Sequence, residues 1–142
     1  MRKVRFTILV ADRNPHVRDF LRREMTVEGY QVRVAKNGME LLRWIYRHEP
    51  LDLLILDLDL PDVSELEILE KLQDRIPTLP VVIHSFVPVY INHPGISSFA
   101  AFVEKSGNSI EKLKKIVCEL LEKSKYRRIK TLRSNKSVTP GS

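Results

Sequence analysis

Leu51-Asp52-Leu53-Leu54-Ile55-Leu56-Asp57-Leu58-Asp59-Leu60-Pro61 is an apolar run that stops at a carboxylate. Residues Leu53 to Leu56 have no polar relief, which suits a strand buried on both faces inside a parallel sheet. The run is too short to cross a bilayer. In sheets of that kind ligands and chemistry gather at the carboxyl ends of the strands, so Asp57 stands where a working carboxylate belongs, and Pro61 closes the loop behind it. From this stretch alone, a turn-starting or helix-capping acid is the other reading of Asp57.

Working outward, Arg5 to Ala11 is a β-branched apolar run ending at Asp12, a first strand with the same carboxylate finish. Asn14 is a good N-cap and Pro15 suits a first helical turn; Val17, Phe20, Leu21 and Met25 form a stripe that ends at Gly29. Tyr30 to Ala35 alternates as a short strand. Asn37-Gly38 then opens a helix with Met39, Leu42, Ile45 and Tyr46 expected inward and Trp44 over its edge. After the central strand, Ser64 and Glu67 have capping-box spacing, with Leu66, Leu69 and Leu72 following until Pro77. Pro80-Val81-Val82-Ile83-His84 is a fourth strand ending at Ser85, where a lone histidine reads as packing or solvent contact rather than a ligand. Pro88, Pro94 and Gly95 leave room only for a short or distorted helix across Phe86 to Ser98. Phe99 to Glu104 is a fifth strand with Lys105 at its end. Asn108 and Glu111 can cap a last helix carrying Ile110, Leu113, Ile116, Val117 and Leu120.

Strand then helix, repeated five times with right-handed crossovers, builds an α/β domain with a doubly wound parallel sheet covered on both faces. The length of 142 residues fits one domain. Neither a signal peptide nor a membrane span is present in the sequence, so the expected location is cytoplasmic, without membrane contact. The single cysteine, Cys118, excludes an intramolecular disulfide and a cysteine-cluster metal site, and is expected to pack in the last helix. The net charge of +6 is unevenly placed: residues 1–122 hold 17 basic and 18 acidic side chains, while Lys123, Lys125, Arg127, Arg128, Lys130, Arg133 and Lys136 follow with no further acid. We therefore expect a domain over residues 1–124 and a basic, disordered tail over 125–142, in which polyanion attraction would be weak and not sequence-specific.

With all strands parallel, Asp12, Asp57, Ser85 and Lys105 converge on one edge. Two carboxylates suit a hard cation such as Mg²⁺, and a lysine with a hydroxyl suits a phosphoryl oxygen. Ile8-Leu9-Val10-Ala11-Asp12, Leu56-Asp57 with Pro61, Ser85, and Phe99 to Lys105 together resemble, in order and spacing, a response regulator receiver domain of two-component systems, from about Arg5 to Lys123. The resemblance implies a flavodoxin-like sheet of order 2-1-3-4-5 and a phosphoryl group accepted on Asp57 from a histidine kinase or phosphotransfer protein. It implies Lys105, Ser85 and Phe102 as catalytic and switch residues, and Mg²⁺ on Asp12, Asp57 and the backbone carbonyl of Asp59. The protein would catalyse its own phosphorylation and dephosphorylation and signal as a stand-alone unit to an unnamed downstream protein. Three positions depart from the family pattern: Arg13 stands where a second metal-binding acid is usual, Glu65 replaces a glycine, and Ser106 replaces a proline. Arg13 is expected to weaken the metal and to pair with Asp57 or Asp12. Arg13 and Glu65 also favour the alternative of a pseudo-receiver, an interaction module that no longer uses phosphorylation. A flavodoxin-like cofactor binder is a third reading, opposed by the lack of small residues in Asp12-Arg13-Asn14-Pro15.

Overall fold

The computed structural model describes residues 5–47, 49–75, 77–86, 100–107 and 109–138. Strands β1 (Thr7–Ala11), β2 (Gln31–Ala35), β3 (Leu53–Leu56), β4 (Val81–Ser85) and β5 (Ala100–Glu104) form one parallel sheet of order β2-β1-β3-β4-β5. The helices are α1 (Pro15–Val27), α2 (Gly38–Tyr46), α3 (Glu65–Asp74) and α4 (Ser109–Val138). The expected strand order is the observed one.

Unbroken apolar runs form the inner strands because both sheet faces are covered. Leu9, Ala11, Leu54, Leu56, Val81 and Ile83 pack with Leu41, Ile45, Ile68, Leu69 and Leu72 from α2 and α3. Their neighbours along each strand, Ile8, Val10, Leu53, Ile55, Val82 and Val103, pack with Leu21, Met25, Leu113, Val117 and Leu121 from α1 and α4. Below the sheet, the buried Asp52 accepts a 2.7 Å hydrogen bond from the Thr7 amide, which fixes the start of β1 against β3.

The helix ends follow local chemistry. The side chain of Asn14 accepts from the amides of His16 and Val17, and Pro15 takes the first helical position. Gly29, at φ 96°, closes α1 by sending its amide to Thr26 O while the Tyr30 amide returns to Met25 O. Asn37 and Ser64 accept from the amides three residues on, Glu40 and Glu67.

Several sequence expectations need correction. Met39, Tyr46 and Leu66 are exposed, Phe20 lies partly exposed beneath Arg23, and Cys118 is exposed. Each helix buries only a narrow stripe, two or three residues here, so the longer apolar lists overran the core-facing side. Trp44 does cover the α2 edge, half-buried with Arg47 stacked 4.5 Å from its ring. At the end of the chain, within the stretch from residue 125 expected to be a disordered tail, the α4 backbone is helical to Val138. Leu121 is the last buried residue of α4 among the side chains described, and the helix continues past it because no glycine or proline interrupts residues 109–138 and lysine, arginine and leucine are good helix formers. From residue 87 on, the helix expected across Phe86 to Ser98 lies outside the described residues.

Candidate functional site

The carboxyl edge of the sheet is built by extending its ladder one residue past each strand. The amide of Asp57 donates to Ala11 O at 2.9 Å, that of Asp12 to Ala35 O at 3.1 Å, and that of Lys105 to Ser85 O at 2.8 Å. Because these backbones are held, the side chains of Asp12, Asp57 and Lys105 start from fixed positions on three strands. All three are buried. Lys105 Nζ donates to Asp57 Oδ2 at 2.5 Å and sits 2.8 Å from Asp12 Oδ2. The two remaining carboxylate oxygens are also occupied: Asp12 Oδ1 accepts from the Asn14 amide and Asp57 Oδ1 from the Asp59 amide, each at 2.9 Å. Burial pushes the Lys105 ammonium toward losing its proton, but its hydrogen bonds to Asp12 and Asp57 and their charges outweigh this and raise its pKa. The cluster is thus a buried ammonium shared by two carboxylates, with the Phe86 ring 5.2 Å from Nζ.

Ser85, the last residue of β4, is buried beside this cluster, and Phe102 on β5 is half-buried against the α2–α3 side of the core. Arg13 points elsewhere than expected. Its Nη2 lies 3.6 Å from Asp59 Oδ2, both side chains more than half exposed, so its partner is Asp59 and not Asp57 or Asp12. Arg18, which the sequence reading left out, donates from Nη1 to the Asp12 carbonyl at 2.8 Å and steadies the β1–α1 turn.

Asp12 and Asp57 fit a Mg²⁺ ion in donor chemistry, being two oxygen ligands for a cation that keeps several waters. Among the described residues no group of three His, Cys, Asp or Glu side chains could hold a metal. The donor set is therefore a sparse one, with a cation in Arg13 next to it.

The loop after Asp57 is tied to α2. Asp62 accepts from the amides of Gly38 at 2.7 Å and Met39 at 3.0 Å. Desolvation acts to raise the Asp62 pKa, but these backbone hydrogen bonds outweigh it and hold the carboxyl below its usual range. A Cβ on Gly38 would fall 2.4 Å from Val63 Cγ2 and 2.6 Å from Val63 Cβ, so glycine is required there by close approach. No sequence signal marked this clamp beyond Asn37-Gly38 itself, because its partner lies 24 residues away. Glu65 is the first residue of α3, where an acid suits the helix dipole, and among the described residues glycine alone adopts positive φ, so the missing family glycine leaves no strained backbone.

His84 is buried with neither ring nitrogen hydrogen-bonded. Desolvation first, then the Lys105 charge, lower its pKa to about 4 against the pull of Asp57, so it is neutral at pH 7.

Comparison with known proteins gives a consistent picture. The response regulator receiver domain family matches residues 8–89. The transcriptional regulatory protein KdpE of Mycobacterium tuberculosis is 42% identical over 78 residues, which is 55% of this chain and 34% of that protein. The DNA-binding transcriptional regulator NtrC of Bradyrhizobium is 35% identical over 79 residues, 56% of this chain and 16% of the relative. The chain thus spans about a third of the length of one relative and less of the other. The response regulator TrrA of Thermotoga maritima, solved in complex with Mg²⁺-BeF, is 30% identical with a TM-score of 0.74, over 81% of this chain and 98% of TrrA. TrrA has also been solved in complex with the histidine kinase ThkA. Among the described residues no helix is long and apolar enough to cross a membrane.

Proposed function

The chain belongs to the response regulator receiver domain family, and from that premise we propose that it accepts a phosphoryl group on Asp57 from a histidine kinase or phosphotransfer protein. The observation that carries this reading is the single ammonium of Lys105 bridging Asp57 Oδ2 and Asp12 Oδ2 at the carboxyl edge of the sheet. In the proposed step a carboxylate oxygen of Asp57 attacks the donor's phosphorus and the donor leaves with the electron pair of its bond to phosphorus. Lys105 then faces the oxygens that have gained charge, inside a buried cluster where that charge is worth more than in water. Asp12, Asp57 and the Asp59 carbonyl would hold Mg²⁺, whose positive charge offsets that of the phosphoryl oxygens. The complex of TrrA with a histidine kinase supports a kinase as the donor.

Output is proposed to pass through Ser85 and Phe102 to a downstream protein. Ser85 donates its hydroxyl to the new phosphoryl oxygens, and Phe102, one position from the buried Val103, moves with it. The DNA-binding relative and the run of seven cations after Glu122 favour, for the whole protein, nucleic-acid contact as a second reading of the output.

Intact-mass measurement after exposure to acetyl phosphate tests the acceptor. The parent chain should gain one phosphoryl mass and Asp57→Asn should gain none. An equal gain in the variant overturns the assignment, and no gain in the parent under any condition favours the pseudo-receiver.

A further inference from the structure

The mouth of the acidic site carries a cation that the unmodified arrangement hardly uses. Arg13 directly follows Asp12, and its only ion pair among the described residues is the 3.6 Å contact to the exposed Asp59. An exposed pair at that distance holds its partner weakly. Asp59 is itself part of the acceptor loop, since its amide donates to Asp57 Oδ1. Arg13 is therefore parked on the solvent side of the loop that carries Asp57, whereas Lys105 holds Asp57 Oδ2 on the buried side. An open groove of about 710 Å³ beside Arg13 gives its side chain room to move, and the charged side chains lining that groove are Arg13, Arg18 and Lys36, with no carboxylate among them.

Phosphorylation changes what this site needs. The carboxylate charge of Asp57 is replaced by a group carrying about −1.5 to −2, while Lys105, already shared with Asp12, supplies a single positive charge. The guanidinium of Arg13 offers a planar fork of donors that matches phosphate oxygens two at a time. Resting on the reading of Asp57 as acceptor, we propose that Arg13 is a phosphoryl-binding residue: it leaves Asp59 for the phosphoryl oxygens on Asp57 and lets the chain form its aspartyl phosphate with little dependence on a divalent cation. With acetyl phosphate as donor, an Asp57 carboxylate oxygen bonds to phosphorus, the bond from phosphorus to the acyl oxygen breaks, and acetate departs with the electron pair, so no further reactant is needed.

The test measures initial phosphorylation rates by intact mass, in excess EDTA and in Mg²⁺, for the parent, Arg13→Ala, Arg13→Lys and Arg13→Asp. Calorimetry of Mg²⁺ binding to each unmodified protein accompanies it. The parent should be labelled in EDTA at a rate within about threefold of that in Mg²⁺, and Arg13→Ala should lose about tenfold in EDTA but less in Mg²⁺, the scale of one lost charge contact near a surface. Arg13→Lys should recover part of the EDTA rate, because it restores charge without the fork. Arg13→Asp should require Mg²⁺ and bind it more tightly. A parent labelled in Mg²⁺ but not in EDTA overturns the proposal while leaving Asp57 as the acceptor, as does an Arg13→Ala variant with the parent's EDTA rate. A parent blank in both media overturns the acceptor reading and this proposal together.

Discussion

Two ionic groups, one inner and one outer, sit at the carboxyl edge of the sheet and could hardly differ more. Inside, Lys105 lies 2.5 and 2.8 Å from Asp57 and Asp12, with all three side chains less than a tenth exposed. Outside, Arg13 and Asp59 are 3.6 Å apart with exposures of 56% and 63%. The inner group is costly to disturb because removing one partner strands buried charge, while the outer pair is screened and can exchange partners at little cost. The difference suits them to separate work: the inner set fixes the position of Asp57, and the outer pair can change partners at little cost.

The comparison breaks first at Lys105. Lys105→Met should cost about 3–5 kcal/mol of stability at pH 7, as for other buried pairs that lose one member, with part regained in acid as a stranded carboxylate takes up a proton. Urea denaturation at both pH values checks this, and a loss below about 1 kcal/mol would show that water reaches the cluster and that inner and outer pairs do not differ in kind.

His84, next to Ser85, sharpens the inner side. Its folded pKa of about 4 lies below the usual 6.5, so the unfolded chain takes up the proton first. The stability from keeping it neutral is complete above about pH 6.5 and is lost as pH falls toward 4, amounting to about 3 kcal/mol at the 1.36 kcal/mol of each pKa unit. Chemical denaturation of the parent and His84→Leu across that range should show a steeper loss in the parent. Parallel curves would mean that His84 finds a partner or solvent in solution.

How much of this was open to the sequence depends on the range of the interactions. The strands and the edge positions of Asp12, Asp57 and Lys105 are legible because each of those apolar runs carries its own length and ends at a charged residue, whereas the strand order comes only from the resemblance to receiver domains. The convergence of these three residues on one edge follows from the parallel topology, while the sharing of the Lys105 ammonium between Asp12 and Asp57 was not read from the sequence. The Asp62 clamp on Gly38 and Met39 was not legible, since a side chain bonding a distant backbone leaves no periodicity to read. The same holds for Asp52 on the Thr7 amide and Arg18 on the Asp12 carbonyl. Arg13 was legible as a departure, but its partner was not: an exposed long side chain chooses between nearby carboxylates by geometry that the sequence does not contain.

A smaller effect is expected at the clamp. Gly38→Ala forces a methyl into Val63 and should cost about 1–3 kcal/mol, as overpacking does. Val63→Ala should rescue it only in part, because Val63 Cβ itself lies 2.6 Å from the added atom. Thermal melts of the two single variants and the double variant decide it, and an unchanged Gly38→Ala midpoint would show that the loop yields freely. The smallest effect belongs to the outer pair. A double-mutant cycle on Arg13→Ala and Asp59→Ala should give a coupling below about 1 kcal/mol that fades with added salt. A larger, salt-insensitive coupling would make the outer pair a structural one.

Where a phosphoryl group goes is the central question for this chain. Acetyl phosphate treatment followed by borohydride reduction converts an aspartyl phosphate to homoserine, and peptide mapping then locates it. The expected result is homoserine at residue 57 alone, absent when the donor is omitted; homoserine at Asp12, Asp59 or any other aspartate with residue 57 intact would contradict the account.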